Sequence, residues 1–368
     1  MASHENEMKC DSAPASPSPH FFIIEPDDRV LVTGATGFIG SRVIENLLSR
    51  GFRNVVCLGR PSSDLTKLEA SIKNRPSGTD IEMLRGNLLS RADCEAASKG
   101  VKVIYHLAAG TGEKSFPDAF MNSVVTTRNL LEASAQYARL KRFVVVSSFA
   151  VYSNRQKSRR LDESCPVEPH PERSGSAYCY AKVKQEQIVT ELTRKFGIPY
   201  VIVRPGSVYG PGHVGITARV GISAFGPFLH FGGFNNIPFT YVDNCAEAIV
   251  LAGLVRGVEG ESFNVLDDDT PSSRQFLKLY KRNVRTFRSA YVPHALSYAL
   301  CYLWEKYVDY SQGQLPPAFN RRRWYAEWRP TRYSNTKLKE RLGWAPKVPT
   351  SEALAVYFRS LSESEQHA

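Results

Sequence analysis

Residues 33–40 read Thr-Gly-Ala-Thr-Gly-Phe-Ile-Gly and follow the apolar run Val30-Leu31-Val32 directly. A strand that turns at once into a helix fits this octet, with three glycines facing the turn. Gly34 allows the backbone to reverse. Gly37 lets main-chain N–H groups approach a bound group with no side chain between, and Gly40 lets the new helix pack closely on the sheet. The helix N-terminus adds unpaired N–H groups and a positive dipole end, a setting suited to a pyrophosphate. A glycine triplet alone carries little weight; its place in a β-α-β pattern, and three agreeing segments downstream, give it meaning.

From Arg29 onward strands and helices alternate. Val30–Val32 reads as a first strand, Phe38–Arg50 as a helix closed by Gly51, Val55–Leu58 as a second strand and Ile81–Leu84 as a third. Val103–Leu107 and Phe143–Ser147 read as the fourth and fifth strands, with a long helix, Phe120–Ala138, between them. Tyr178–Phe196 is a further helix, and Tyr200–Val203 a sixth strand. Alternation at this pitch predicts parallel strands joined by crossover helices, an α/β fold with a Rossmann-type doubly wound parallel sheet.

After Pro205 the rhythm breaks. Residues 206–236 hold eight glycines and no clear strand alternation. Pro238–Val242 and Phe263–Leu266 read as short strands around a helix, Ala246–Leu254, and residues 271–360 are helical and basic. The expected organisation is a disordered tail over 1–28, a dinucleotide-binding domain over 29–205 and 237–268, and a smaller, discontinuous substrate-binding cap over 206–236 and 269–362. Such a cap lies over the carboxyl ends of the strands, where ligands of these sheets bind. Phe21–Ile24 is a short apolar patch expected to dock on the first strand.

At 368 residues the chain can bury a large core. Its net charge of +11 suits a solvated surface, or a basic face for an anionic substrate, membrane surface or nucleic acid. The densest cluster is Arg321-Arg322-Arg323, with Trp324, Tyr325 and Trp328 interleaved. No nucleic-acid motif accompanies it, so no nucleic-acid partner is expected. The seven cysteines are scattered, odd in number and without metal-ligand spacing, which points to a reducing, cytoplasmic setting and to no metal site. The N-terminus has no apolar signal-peptide core. The longest apolar stretch, Ala295–Trp304, is too short to span a bilayer. It reads as a core helix, with peripheral membrane contact the lesser alternative.

A second feature is Tyr178-Cys-Tyr-Ala-Lys182, preceded by Ser148 at the end of the fifth strand. Tyrosine and lysine at this spacing share a helix face. A tyrosine that exchanges a proton with a substrate carbonyl must have its pKa of about 10 brought near 7, a shift worth about 4 kcal/mol. A cation about 4–5 Å away, at an effective dielectric of about 20, supplies roughly 3–4 kcal/mol. Lys182 is the expected cation, and Ser148 would stabilise the developing alkoxide. Tyr180-Ala-Lys-Val-Lys184 has the same spacing, so the residues alone leave two assignments open.

With these pieces in hand, residues 29–350 resemble the extended short-chain dehydrogenase/reductase family, within the NAD-dependent epimerase/dehydratase superfamily and nearest its 3β-hydroxysteroid dehydrogenase-like branch. The resemblance is carried by Thr33–Gly40, His106-Leu-Ala-Ala109, Val146-Ser-Ser-Phe-Ala-Val-Tyr152, Tyr178-xxx-Lys182, Arg204-Pro-Gly-Ser-Val-Tyr-Gly-Pro-Gly212, Thr240-Tyr-Val-Asp-Asn244 and Leu342-Gly-Trp-Ala-Pro346. It implies a nicotinamide cofactor and the catalytic set Ser148, Tyr178 and Lys182, preferred over Tyr180/Lys184 because Glu186 follows Lys182 by four. It further implies cofactor contacts at Gly34, Thr36, Gly37, Phe38, Ile39, Gly40, Asn87, Leu88, Ala108, Ala109, Pro205, Ser207 and Val208, besides Tyr178 and Lys182. A homodimer through a four-helix face formed by Phe120–Ala138 and Tyr178–Phe196 is also implied.

Departures from the family pattern narrow the expectation. NAD-binding relatives carry an acidic residue at the end of strand two, for the ribose 2′-OH. Here the run is Leu58-Gly59-Arg60, which removes repulsion of a 2′-phosphate and lets Arg60 grip it, so NADP is expected in preference to NAD. Asn87 replaces the usual aspartate and can still meet an adenine edge. Ser153 stands where the family has glycine. Ser123, with Asn122 beside it, replaces an asparagine that helps hold nucleotide sugars. Dehydratases of the family place Asp-Glu after the catalytic hydroxyl, whereas Phe149-Ala150 follow Ser148, which argues against dehydration. Simple hydride transfer to or from a carbonyl or secondary alcohol is expected, and the apolar, glycine-rich stretch Ile222–Phe239 favours a bulky, sterol-like small-molecule substrate. The alternatives are a nucleotide-sugar epimerase, with Arg321–Arg323 clamping the pyrophosphate, and a cofactor-binding regulator without turnover.

Overall fold

The computed structural model describes residues 22–72, 78–110, 112, 115–153, 159–173, 176–213, 215–223, 226–311 and 319–366. Most of the expected tail, residues 1–21, lies outside them. Seven strands form one sheet: β1 (Val30–Thr33), β2 (Asn54–Gly59), β3 (Asp80–Arg85), β4 (Val103–His106), β5 (Arg142–Val146), β6 (Tyr200–Pro205) and β7 (Ser262–Val265). Their order is β7-β6-β5-β4-β1-β2-β3, and every pairing is parallel. Thr33 registers with Leu58 on one side and His106 on the other. Strand order therefore reverses beside β1, and a crevice opens at its carboxyl end.

Every residue of β1, β4 and β5 is buried, as parallel strands covered on both faces must be. Alternation sends Val30 and Val32 into one core layer and Leu31 into the other. The first layer lies beneath α1 (Phe38–Ser49) and α5 (Val242–Leu254); the second lies beneath α2 (Arg91–Ser98), α3 (Thr126–Tyr137) and α4 (Ala177–Phe196). Helix α5 is buried along almost its whole length, and it begins at Val242, earlier than the predicted Ala246. The predicted helix Phe120–Ala138 is not one regular element. Ser115 caps a short helix, Phe116–Phe120, which passes through a π turn at Met121–Val125 into α3.

The glycine turn behaves as the sequence requires. Gly34 is left-handed at φ 69°. A Cβ on Gly40 would stand 2.1 Å from the Gly34 carbonyl oxygen, so α1 can start this close to the strand only with hydrogen there. Phe22 and Ile23 dock elsewhere than predicted. Phe22 bridges Val255, and the Ile23 N–H donates to the Leu254 carbonyl at 2.8 Å. The patch thus satisfies an end carbonyl of α5, and residues Phe22–Asp28 belong to the described fold.

Beyond β6 the chain is more regular than its glycine content suggests. Ser207–Tyr209 pairs with Phe239–Tyr241, and Gly221–Ser223, Phe228–His230 and Ser289–Tyr291 make a second small sheet. Helices α6 (Ser273–Asn283), α7 (His294–Tyr310) and α8 (Thr350–Gln366) complete this region. Its core is aromatic: Tyr209, Phe239, Phe276 and Phe358 pack in succession. The stretch Ala295–Trp304 is not a core helix. Within it Ser297 and Cys301 are buried, whereas Leu296, Leu300, Tyr302 and Leu303 are exposed. The stretch is apolar on all sides, but among the described residues only one side of α7 meets neighbours, chiefly Trp324 and the Phe231–Trp328 cluster.

Replacing Gly40 by alanine is expected to lower stability by about 1–3 kcal/mol or more, the usual cost of overpacking a rigid contact. Urea unfolding checks this; an unchanged midpoint would mean that α1 does not need the close approach.

Candidate active site

A cavity of 710 Å³ opens at the carboxyl ends of the strands. The turn supplies Gly34, Thr36, Gly37, Phe38, Ile39 and Gly40 to its wall; the end of β2 supplies Gly59 and Arg60; the loop after β3 supplies Asn87 and Leu88; the loop after β4 supplies Ala108 and Ala109. Ser148, Tyr178, Lys182, Pro205 and Val208 close the other end. Ser207 does not line it. Its N–H donates to the Pro238 carbonyl at 2.7 Å in the ladder with Phe239, and alternation turns the neighbours Gly206 and Val208 inward instead. Among the described lining residues there is no aspartate or glutamate; Arg60 and Lys182 bring positive charge, which suits an anionic ligand. The described residues hold no cluster fit for a metal ion.

Helix geometry separates the two tyrosine–lysine pairs. Tyr178 and Lys182 face the cavity, while Tyr180 packs edge-on against Phe116 at 5.2 Å. Lys182 is buried, and Nζ donates to the Val146 carbonyl at 2.7 Å and to Gln185 Oε1 at 3.0 Å. Burial pulls its pKa down to about 8, against the raising field of Glu186. The Gln185 amide is oriented from its other end, because Nε2 donates to Thr127 Oγ1 at 2.9 Å. Thr127 donates its proton to the Ser123 carbonyl. His106 Nε2, 2.8 Å from Thr127 Oγ1, must then carry hydrogen, and Nδ1 accepts from Thr33 Oγ1 at 2.8 Å. The Ala108 N–H completes the chain by donating to Thr33 Oγ1 at 3.3 Å. One line of directed hydrogen bonds thus joins Lys182 to the loops that wall the cavity.

The electrostatics of Tyr178 differ from the sequence expectation. Burial raises its pKa, and a hydrogen bond with Ser148 offsets this in part. Burial prevails, so the pKa lies above the free value and not below it, while the Lys182 ammonium is engaged with Val146 and Gln185. Ser148 Oγ also accepts from the Ala150 N–H at 3.2 Å, capping the short turn that follows β5.

Glu186 grips Arg204 through both carboxylate oxygens, at 2.9 and 2.7 Å, with both side chains buried. Arg204 also donates to Tyr152 Oη at 3.0 Å, and Tyr152 donates to Asn264 at 2.6 Å. This web ties α4 to β6 and β7. Asn122, Thr126 and His213 line the cavity without having been singled out as contacts by the sequence. The π turn, invisible in composition, presents Asn122 to the cavity, while Ser123 is buried and accepts from the Gly110 N–H at 3.0 Å. Asn87 Oδ1 is held by the Leu89 N–H at 3.0 Å, which leaves its amide NH2 end to meet a ligand.

Arg321 pairs with Glu305 and Arg323 with Glu327, and neither lines the cavity. There is a second cavity, of 760 Å³; Arg159, Arg160, Arg332, Asn236, Asp268 and Tyr333 are among its walls. Tyr333 stacks on Phe149, the residue after Ser148, with ring centroids 5.6 Å apart. Phe228, Phe231, Ile237 and Phe239, expected to greet an apolar substrate, are buried in the cores of this region.

Residues 30–265 match the NAD dependent epimerase/dehydratase family. Over 253 residues the chain is 30% identical to YtcB of Bacillus subtilis (strain 168), described as an uncharacterized UDP-glucose epimerase, covering 64% of this chain and 76% of that protein. Over 192 residues it is 32% identical to a 3 beta-hydroxysteroid dehydrogenase/Delta 5-->4-isomerase of Mycobacterium tuberculosis (strain ATCC 25618 / H37Rv), covering 50% of this chain and 48% of that one. A UDP-glucuronic acid 4-epimerase from Bacillus cereus, solved with UDP-glucuronic acid and NAD, superposes with a TM-score of 0.68 at 23% identity, over 91% of this chain and 99% of that one. At that identity the likeness shows the fold.

His106 yields a pH test. Burial, with Lys182 nearby, pushes its pKa down to about 3, against about 6.5 for an unfolded histidine. Its contribution to stability is therefore complete above pH ~6.5 and lost as pH falls toward 3. Urea midpoints measured across that range should fall more steeply for the natural protein than for His106→Gln; equal slopes would show that His106 is not held neutral by the fold.

Proposed function

The chain belongs to the NAD dependent epimerase/dehydratase family, and on that premise we propose that it is an oxidoreductase, preferring NADP, that moves a hydride between the cofactor and a carbonyl or secondary alcohol of a small molecule. The observation that carries this reading is the convergence of Ser148, Tyr178 and Lys182 on a glycine-cradled cavity that no described acid lines. The cofactor fits the residues present. The turn leaves no Cβ where a pyrophosphate would approach, and Arg60 stands exposed at the β2 end, where a 2′-phosphate would sit.

The bound cofactor would supply or accept the hydride. The chain's own residues manage the proton and the oxygen. Ser148 would hold the substrate oxygen, and Tyr178 would give or take the proton there. Lys182, fixed by Val146 and Gln185, would place its remaining N–H toward the cofactor ribose and Tyr178. The raised pKa of Tyr178 keeps it protonated at neutral pH, which suits reduction of a carbonyl, with the tyrosine as acid. The proposal includes a cytoplasmic setting, a cap formed by 206–236 and 269–362 over a sheet domain of 29–205 and 237–268, and a homodimer through α3 and α4.

A nucleotide-sugar epimerase is the second reading. Arg159, Arg332 and Arg160, the last also paired with Asp162, wall a cavity next to the Phe149–Tyr333 stack and would meet a diphosphate there, although Asp268 lines the same cavity. An epimerase would convert its substrate with no net NADPH consumption.

Tyr178→Phe is expected to bind NADPH as tightly as the natural protein and to lose about 10²–10⁴-fold in NADPH-dependent turnover on a carbonyl panel, while Tyr180→Phe stays near full rate. Full rate in Tyr178→Phe would remove Tyr178 from the proton step. Cofactor choice is tested separately by fluorescence titration. Arg60→Ala should weaken NADPH by about tenfold, the worth of one charge-assisted phosphate contact, and leave NADH nearly unchanged. Tighter NADH than NADPH in the natural protein would refute the NADP assignment.

A further inference from the structure

The apolar face of α7 is absorbed neither by the core nor by the cavity. Leu296, Leu300, Leu303, Tyr307 and Tyr310 recur at alternating steps of four and three and are all exposed, Leu303 to 61% and Tyr310 to 84%. They form one stripe along the helix. The only charged side chain described as exposed on this side is Lys306, whereas Glu305 is turned to Arg321. The apolar surface continues past the start of the helix. Tyr291 is exposed, its ring lies against Gly233, and the next residue, Phe234, is 70% exposed with the Arg274 guanidinium over its ring.

The chain leading into the helix carries charge of one sign, while the helix itself adds Glu305, Lys306 and Asp309. Residues 270–304 contain six arginines and lysines and no aspartate or glutamate. Of these, Arg274, Lys278, Arg282, Arg285 and Arg288 are exposed, and Arg285 is paired with Glu365 at 3.2 Å. A leucine–tyrosine stripe with a lysine in it and a cationic border matches a helix lying flat in the headgroup region. There leucines enter the acyl boundary, tyrosines sit at the headgroups, and lysine extends back to the phosphates. A second copy of the chain is a poor occupant, because two-fold pairing would bring the same unopposed cations together.

We infer that α7, with Phe234 and Tyr291 beside it, is a docking face for an anionic membrane surface. The inference is independent of the proposed hydride transfer, since none of these residues lines the glycine-cradled cavity; Phe234 alone also borders the second cavity.

The test is co-sedimentation of the full chain with vesicles of phosphatidylcholine alone and with about one third phosphatidylglycerol. Binding to the anionic vesicles is expected to exceed binding to neutral ones by about tenfold and to fall with added salt. The double variant Leu300→Glu/Leu303→Glu should lose at least about tenfold in partitioning. Arg282→Glu/Arg288→Glu should lose the preference for anionic lipid while keeping the stripe. Both variants should retain the natural protein's thermal midpoint and NADPH affinity, which separates failure of this face from failure of the cofactor reading. Absence of binding to anionic vesicles, or equal binding by the leucine variant, would overturn the inference. So would a natural protein that light scattering shows as a dimer and the leucine variant as a monomer, since the face would then be a self-interface.

Discussion

The buried pair of Glu186 and Arg204 is the constraint on which the arrangement of the candidate site depends. Both side chains are taken out of water, a loss that attraction offsets only with good geometry. Here the geometry is bidentate, and Tyr152 provides a further acceptor for the guanidinium. Burial opposes the charge on Arg204, but the hydrogen bonds and field of Glu186 prevail and raise its pKa. Removing one partner of such a pair leaves an uncompensated buried charge, at a cost of about 3–5 kcal/mol. Because Glu186 lies one turn beyond Lys182 on the same helix, the pair fixes the rotation of α4, and with it the direction in which Tyr178 and Lys182 point.

Lys182 is held by neutral partners, which has an electrostatic consequence. Val146 and Gln185 accept hydrogen bonds from it without cancelling its charge, so burial brings its pKa down to about 8. Tyr178 is turned into the cavity beside Ser148, and burial holds its pKa raised, so it is protonated at neutral pH. The acid and the cation are thus positioned separately, one by Ser148 and one by the chain through Gln185, Thr127, His106 and Thr33. Within this chain each group has a directed partner, and one Lys182 N–H is left over.

Much of this was legible in the sequence. The glycine octet stated its own geometry, since only hydrogen fits between Gly40 and the Gly34 carbonyl. The strands were readable because a parallel strand buried on both faces is apolar throughout, as in Val30–Val32 and Phe143–Val146. Spacing alone left Tyr178 and Tyr180 open, the resemblance preferred Tyr178 through Glu186, and the fold adds that Tyr180 packs on Phe116 and Phe120. Ala295–Trp304 misled for a related reason: apolar residues on every side of a helix say nothing about how many sides have neighbours. Arg321 and Arg323 looked like free charge because Glu305 and Glu327 are brought to them by helical turns that composition does not show. The π turn at Met121–Val125 leaves no compositional trace, so the approach of Asn122 to the cavity was not visible.

The most direct measurement is a crystal structure of the protein with NADPH. The account predicts the pyrophosphate on the Gly34–Gly40 turn, the 2′-phosphate against Arg60, and the nicotinamide between Val208 and the Tyr178–Lys182 pair. A cofactor bound elsewhere, or bound with its nicotinamide at the β2 end, would contradict it.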